Sequence, residues 1–499
     1  MASHTPEFLG CPNELISSIL SFCSPADLLC LSRVNKRFNE LANAVLYSNV
    51  QFTWTVSVTP PVTNFLRSIL SKPQLAGHVQ SVRLAGDISF HQPPHRRSPL
   101  PKLPWNEAES ALGLATGLVD ELQLSYSENW TRELREGTMD AIMALLLARL
   151  PFLRSLVVTA NYMREMELLG AMFRSALYKE SPGSWLSDFH QLEEVSFNTL
   201  TSQSTYRNPN TPHLLPFFYS PAMRALDLDL DNPVSFAWPA GPPDLTNLCS
   251  LKLQNIREPA LKCILSATPN LRVLDWEFMH SESQTTTQVS TDLTNPALAD
   301  LDVIVDALTP VRATLVDLTI RARVIRADGN MDEPVVQIRG SLAGLVEFDK
   351  VERFSVALPF LAGEIIPNNT FRISERVPRN LRTLVLRSDL AIYTDEFWVY
   401  TNGATSPDNI DDFDPQWDAV ALYINLRAWF YKWRTTTNPH FRHLEVMAKW
   451  DWDHEEMRQA LRDLCSEERV QVALTFTGLP PRSTDEPYVP PPPYDEDLA

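Results

Sequence analysis

Glycine is scarce, at 15 in a chain of 499 residues. Phosphate-cradling loops need glycine at set positions so that backbone N–H groups can close on an anion. Nucleotide-binding turns are therefore not expected, and no P-loop pattern is present. Cysteine is sparse as well. Cys11, Cys23, Cys30, Cys249, Cys263 and Cys465 form no C-x-x-C pair and have no His at ligand spacing. That usage argues against zinc and against a disulfide framework, and it fits a reducing compartment. Positive charge is in deficit: 43 Lys and Arg stand against 61 Asp and Glu, a net of -18. The basic residues, Arg96 and Arg97 included, look scattered and matched by nearby acids. A phosphate backbone would be repelled, so nucleic acid is not an expected partner. Long apolar runs are missing too. The longest, around Ala141 to Leu150, is too short to span a bilayer, and Pro6, Glu7 and Pro12 stand where a signal peptide needs a basic start and an unbroken apolar run. The expectation is an intracellular protein, cytoplasmic or nuclear, with no membrane partner.

Enzyme signatures are also lacking. There is no G-x-S-x-G, H-E-x-x-H or kinase-type combination. Acids surround His454 in the run Asp451 to Glu456, but Met457, Leu461 and Leu464 follow at helical spacing. Asp453 as an N-cap, with Glu455 and Glu456 in the first turn, accounts for those acids. The run Asp408 to Asp414 lacks the glycine and terminal Glu of a calcium loop. No catalytic residue, metal or cofactor is expected, and the chain reads as a non-enzyme.

What the sequence does contain begins near its start. Pro12 suits a first helical position, and Leu15, Ile16, Ile19, Leu20 and Phe22 follow at helical spacing. Ser24-Pro25-Ala26-Asp27 restarts the chain with a cap, and Leu28, Leu29 and Leu31 continue it. A third helix begins near Arg33 and aligns Val34, Phe38, Leu41, Ala42 and Val45. Some forty residues bury too little surface to be stable alone. The surplus apolar surface must meet the rest of the chain or another protein.

Pro-x-Glu-Leu-Ile, Ser-Pro-x-Asp-Leu-Leu and Leu-Ser-x-Val-Asn-Lys-x-Phe-Asn, in this order, resemble the F-box consensus over residues 1–50. The resemblance implies that Pro12, Leu15, Ile16, Ile19, Leu20, Leu28, Leu29, Leu31, Val34 and Phe38 form a small core or meet a Skp-type adaptor on a cullin scaffold. Cys11 stands where the family usually has Leu. The chain would then be the substrate-recognition subunit of a ubiquitin ligase. The alternative is a non-ligase interaction scaffold with an F-box-like cap.

Over residues 51–479 one pattern recurs: apolar, two variable residues, apolar, one variable, apolar. It is seen as Val79–Val82–Leu84, Val119–Leu122–Leu124, Leu153–Leu156–Val158, Leu192–Val195–Phe197, Met223–Leu226–Leu228 and Leu248–Leu251–Leu253. It continues in Leu271–Leu274–Trp276, Leu315–Leu318–Ile320, Val351–Phe354–Val356, Leu381–Leu384–Leu386 and Phe441–Leu444–Val446. The last two apolar positions alternate as a strand does. Thr138 to Leu150 and Pro259 to Ala267 have helical spacing and each precedes such a strand. Helix, proline, then L-x-x-L-x-L resembles a leucine-rich repeat. The strand spacing is irregular, from about 23 to about 60 residues. The likeness is to the degenerate repeats of fungal-type F-box proteins, so the expected fold is an irregular α/β repeat solenoid. A doubly wound parallel sheet is the alternative.

In such a solenoid Arg83, Gln123, Ser196, Asp227, Lys252, Asp275, Thr319, Ser355, Val385 and Glu445 would face outward and read an unknown protein target. Polar insertions at Gln92–Leu103, Thr199–Thr211, Ser281–Asn295 and Asn402–Asp414 read as spacers. Trp429, Phe430, Tyr431 and Trp433 read as core on a helix. Residues 480–499 are too rich in proline and acid to fold alone, a disordered tail. Within them Pro491, Pro492 and Tyr494 match the PPxY pattern that WW domains bind, since a preformed polyproline II segment loses little entropy on docking.

Overall fold

A computed structural model describes residues 11–55, 58–86, 100–103, 109–178, 186–198, 211–231, 236–281, 298–325, 336–363, 371–390, 419–431, 438–449 and 455–477. The insertions named above fall wholly or largely outside these residues. So do the acidic runs Asp408–Asp414 and Asp451–His454, Trp433, and the tail with Pro491, Pro492 and Tyr494.

The chain opens with three helices, α1 (Asn13–Leu20), α2 (Pro25–Leu31) and α3 (Lys36–Ser48). Seven more come before residue 270: α4 (Val62–Ser71), α5 (Glu109–Leu122), α6 (Ser127–Glu136), α7 (Met139–Ala148), α8 (Glu167–Leu177), α9 (Thr211–Leu214) and α10 (Glu258–Leu265). Further helices cover Leu301–Leu308, Leu358–Ala362, Ala419–Phe430 and Glu455–Glu467. The first strands are β1 (Asn49–Trp54), β2 (Ser81–Gly86), β3 (Ser155–Thr159), β4 (Glu194–Asn198), β5 (Ala225–Asp229), β6 (Ser250–Gln254) and β7 (Val273–Ser281). Then follow β8 (Leu298–Asp300), β9 (Asp317–Ile325), β10 (Gln337–Arg339), β11 (Arg353–Ala357), β12 (Thr383–Arg387), β13 (His443–Lys449) and β14 (Gln471–Thr477).

The helical N-terminal region thus gives way to an α/β region built on one sheet of 12 strands, with β8 and β10 paired separately. Every neighbouring pair is parallel, and strand order follows chain order from β1 to β14. A doubly wound sheet reverses its order at a switch point; this sheet has no reversal among the described strands. Parallel neighbours require crossovers, and here helices and 3-10 turns supply them.

The apolar pattern sets the register. Leu226 pairs with Leu251, Leu251 with Leu274, Leu274 with Leu318 and Leu318 with Phe354. The third apolar position stacks the same way through Leu228, Leu253, Trp276, Ile320 and Val356. All these side chains are buried in one continuous core. A one-residue slip would turn each of them outward, which is why the register is so strongly specified. The helix expected over 138–150 is α7, every residue of which is buried. The one expected over 259–267 is α10.

Four expectations need correction. Val119–Leu122–Leu124 is no strand: Val119 and Leu122 lie on α5, and Gln123 follows at φ 51, so it is not an outward strand residue. An apolar pair three apart belongs equally to a helix, and with Ala115 it makes one buried stripe. Ser355 and Val385 are not outward recognition residues either, since each is only 2% exposed. Strands β1, β8, β10 and β14 escaped the pattern; β1 grows out of a helix, and β14 alternates without the leading apolar residue. Tyr431 is exposed rather than core, while Trp429 and Phe430 are buried against Phe441.

Candidate adaptor-docking face

The N-terminal helices are made by their caps. Ser24 accepts the Asp27 N–H at 3.2 Å and its hydroxyl donates to the Asp27 carboxylate at 2.7 Å, with Pro25 at the first position of α2. Asn35 caps α3 by accepting the Phe38 N–H at 2.8 Å. Pro12 stands one residue before α1, in the capping position, not inside the first turn. Two contacts close the bundle. Arg37 Nε donates to Asn13 Oδ1 at 2.8 Å, and Arg37 Nη2 donates to the Cys11 carbonyl.

These helices have a core of their own, separate from that of the sheet. Ile16, Leu20, Leu28, Phe38 and Ala42 form it, and Cys11, Cys23 and Leu31 pack on its rim. The ten residues singled out from the sequence therefore divide. Ile16, Leu20, Leu28 and Phe38 are buried and Leu31 half-buried, while Pro12, Leu15, Ile19, Leu29 and Val34 are exposed. Leu15 and Ile19 lie one turn apart on α1, and Phe22, 88% exposed, continues that stripe just past the helix end. Phe22 was legible as part of the apolar face but absent from the expected contact set. Isolated surface leucines need no explanation, but a stripe of this kind makes a candidate docking face.

The bundle is joined to the sheet without a linker. Helix α3 ends at Ser48 and β1 starts at Asn49. The Ser48 carbonyl accepts the Gln80 N–H at 2.9 Å. Tyr47 stacks on Phe65 with centroids 5.8 Å apart, and Phe52 meets the same ring edge-on at 5.5 Å.

The exposed side of the sheet was the other expected site. It carries ion pairs between neighbouring strands: Lys252 to Asp227 at 3.4 Å and Arg321 to Asp275 at 2.7 Å. Arg321 and Arg323 both reach Glu277, whose burial outweighs them and pushes its carboxyl above the usual range. Ser196 donates to Asp227 at 3.2 Å. Cations and anions are interleaved on this face, so it presents no charge of one sign.

A small cavity lies where β1, β2 and α7 meet, lined by Trp54, Leu84, Met139, Asp140, Tyr162 and Leu169. Burial pushes the Asp140 carboxyl up to about 7. Perturbed acids in clefts are candidate catalytic groups. Asp140 already has a structural use, however: its two oxygens accept the N–H groups of Leu168 and Leu169 at 2.8 and 3.0 Å, in the first turn of α8. Among the described residues no group of three or more His, Cys, Asp or Glu is arranged to hold a metal. No described helix is long and apolar enough to cross a membrane.

Comparison with known proteins agrees with the N-terminal geometry. No curated protein matches the chain. One family model, described as F-box-like, matches residues 11–53. The match takes in all three helices and runs into β1, so the chain carries an F-box-like domain at its described N-terminus.

Proposed function

We propose that this chain is the substrate-recognition subunit of a cullin-based ubiquitin ligase and is not itself an enzyme. The exposed side chains of Leu15, Ile19, Phe22, Leu29 and Val34, set over a separate small core, carry the reading. A fully buried Leu, Ile or Phe contributes about 1.5–3 kcal/mol relative to an exposed one, so five of them covered by a Skp-type adaptor supply a stable interface. The sheet region then acts as a degenerate leucine-rich-repeat solenoid of the fungal F-box type, holding a protein target. Sequential parallel strands and stacked apolar rows support that assignment. The location that suits this role is the cytoplasm or the nucleus.

The alternative scaffold reading keeps α1 and α2 packed permanently on the rest of the chain. Their exposed stripe favours the adaptor reading instead. Co-expression of the full chain with a Skp-type adaptor tests it. A stable complex that co-elutes in gel filtration is expected, and separate elution of two folded proteins would overturn it. The PPxY segment at Pro491, Pro492 and Tyr494 is assigned to a WW-domain partner. A peptide of residues 480–499 is expected to bind an isolated WW domain and to lose that binding on Tyr494→Ala.

A further inference from the structure

Arginines that look scattered in the sequence are gathered into one row by the register. The residue just after the first apolar position of each unit lies at the entry end of its strand. Each such residue donates its backbone N–H to the equivalent carbonyl on the preceding strand. Arg154 N donates to Gln80 O at 2.7 Å, Arg224 N to Glu193 O at 2.8 Å and Arg272 N to Cys249 O at 2.9 Å. Arg382 N donates to Glu352 O at 2.7 Å and Arg442 N to Arg382 O at 2.9 Å. Arg154, Arg224, Arg272, Arg382 and Arg442 therefore stand in line along one edge of the sheet, and all are exposed. This corrects the expectation that every basic residue is locally matched.

The row holds two acids, and each is engaged. Glu193 pairs with Arg224 at 3.7 Å and Glu352 with Arg382 at 3.3 Å. Arg154, Arg272 and Arg442 have no ion pair among the described residues, and Arg442 donates through Nη1 to the carbonyls of Pro439 and Phe441 at 3.1 and 2.6 Å. Arg382 and Arg442 stand just before the paired first residues of β12 and β13, Thr383 and His443, where like charges repel. Such an arrangement is out of keeping with a chain of net charge -18 unless an anionic partner meets it.

We infer that this edge is a docking rim for an extended acidic segment of a partner protein, laid across the strands. From β3 to β13 the sheet order has eight steps, roughly 38 Å at about 4.8 Å per step. An extended peptide rises about 3.3 Å per residue, so a run of about 12 residues spans the row. Carboxylates suit the site because planar guanidinium groups bind them two bonds at a time. Nucleic acid is disfavoured by the strongly acidic remainder of the molecule. The inference goes beyond the adaptor reading and does not need the F-box-like domain to dock.

The test uses the full chain and a fluorescein-labelled dodecaglutamate, read by fluorescence anisotropy at physiological salt. Dodecaglutamine and a twelve-nucleotide oligothymidylate serve as comparison probes. Binding of the glutamate peptide in preference to both is expected. The pairs Arg382→Gln with Arg442→Gln, and Arg154→Gln with Arg272→Gln, should each weaken it roughly tenfold. Arg67→Gln with Arg427→Gln, exposed on crossover helices and not members of the row, should leave it within about twofold. These exposed neutral replacements keep the fold, which an unchanged melting temperature verifies. No preference for glutamate over glutamine, equal loss in the control pair, or tighter binding of the oligonucleotide would each overturn the inference.

Discussion

Leu15 and Ile16 are adjacent in α1 and opposite in exposure: Leu15 is 57% exposed and Ile16 is fully buried. Removing either should therefore give a different result. Ile16→Ala opens a hole in a core of five buried side chains and should destabilise the helical bundle by about 2–5 kcal/mol. Leu15→Ala should stay within about 0.5 kcal/mol. Hydrogen exchange of α1 to α3 reads the difference: faster exchange is expected for Ile16→Ala and unchanged exchange for Leu15→Ala.

Asp140 predicts a pH dependence. Its carboxyl is held near 7 in the folded chain, mainly by burial, against an ordinary value of 3.8. The folded state thus binds the proton more tightly than the unfolded state. Stability from this group is fully present below the unfolded value and is lost as pH rises toward and through 7. The melting temperature should fall between pH 5 and pH 8, and Asp140→Asn should flatten that slope. At pH 5 Asp140 is itself protonated and, like asparagine, has one carbonyl acceptor, so the variant should melt close to wild type there. An unchanged slope in the variant would assign the pH effect to another group.

Gly170 marks a close approach between α8 and α9. A Cβ built there would lie 2.1 Å from His213 Nδ1. Gly170→Ala should cost about 1–3 kcal/mol despite alanine's higher helix propensity. His213→Ala would keep a Cβ that itself lies 2.5 Å away, so His213→Gly in the same chain is the change that clears the space, and that double variant should be more stable than its separate losses predict. Additive losses in a double-mutant cycle of chemical denaturation would contradict the contact.

Asparagines at the turns tie successive units together. Asn247 Nδ2 donates to the Pro221 carbonyl at 2.9 Å, Asn270 to Thr246 at 2.8 Å and Asn380 to Asp349 at 2.6 Å. Asn270→Ala should cost about 1 kcal/mol, the usual net worth of such a bond. Asn270→Asp should cost more, since a carboxylate cannot donate to the Thr246 carbonyl. Chemical denaturation of both variants checks the order.

The repeating L-x-x-L-x-L pattern foretold ten of the strands because inward positions in a parallel sheet recur with a period of two and stack in register. It failed at Val119–Leu122, where a spacing of three serves a helix equally well. It also sent Ser355 and Val385 outward, since alternation predicts the face of a side chain and not what covers that face. The asparagines lie immediately before the first leucine of the units at Leu248, Leu271 and Leu381 and were visible there. Their partners sit in the preceding unit's turn, which a linear reading cannot supply. The arginine row was hidden for the same reason: charges far apart in sequence become neighbours only once the register is known. The N-terminal helices were more legible, because caps and apolar spacing are local. Their division into core and surface was not, since one residue of rotation on α1 separates Leu15 from Ile16.

The central claim is that the exposed stripe on α1 and α2 docks an adaptor, and isothermal titration calorimetry of the full chain against a purified Skp-type adaptor tests it most directly. Wild type should bind with the negative heat-capacity change of apolar burial. Leu15→Asp with Leu29→Asp should abolish binding while the melting temperature stays unchanged. Equal affinity of wild type and the double variant, or no binding by a folded wild type, would contradict the account.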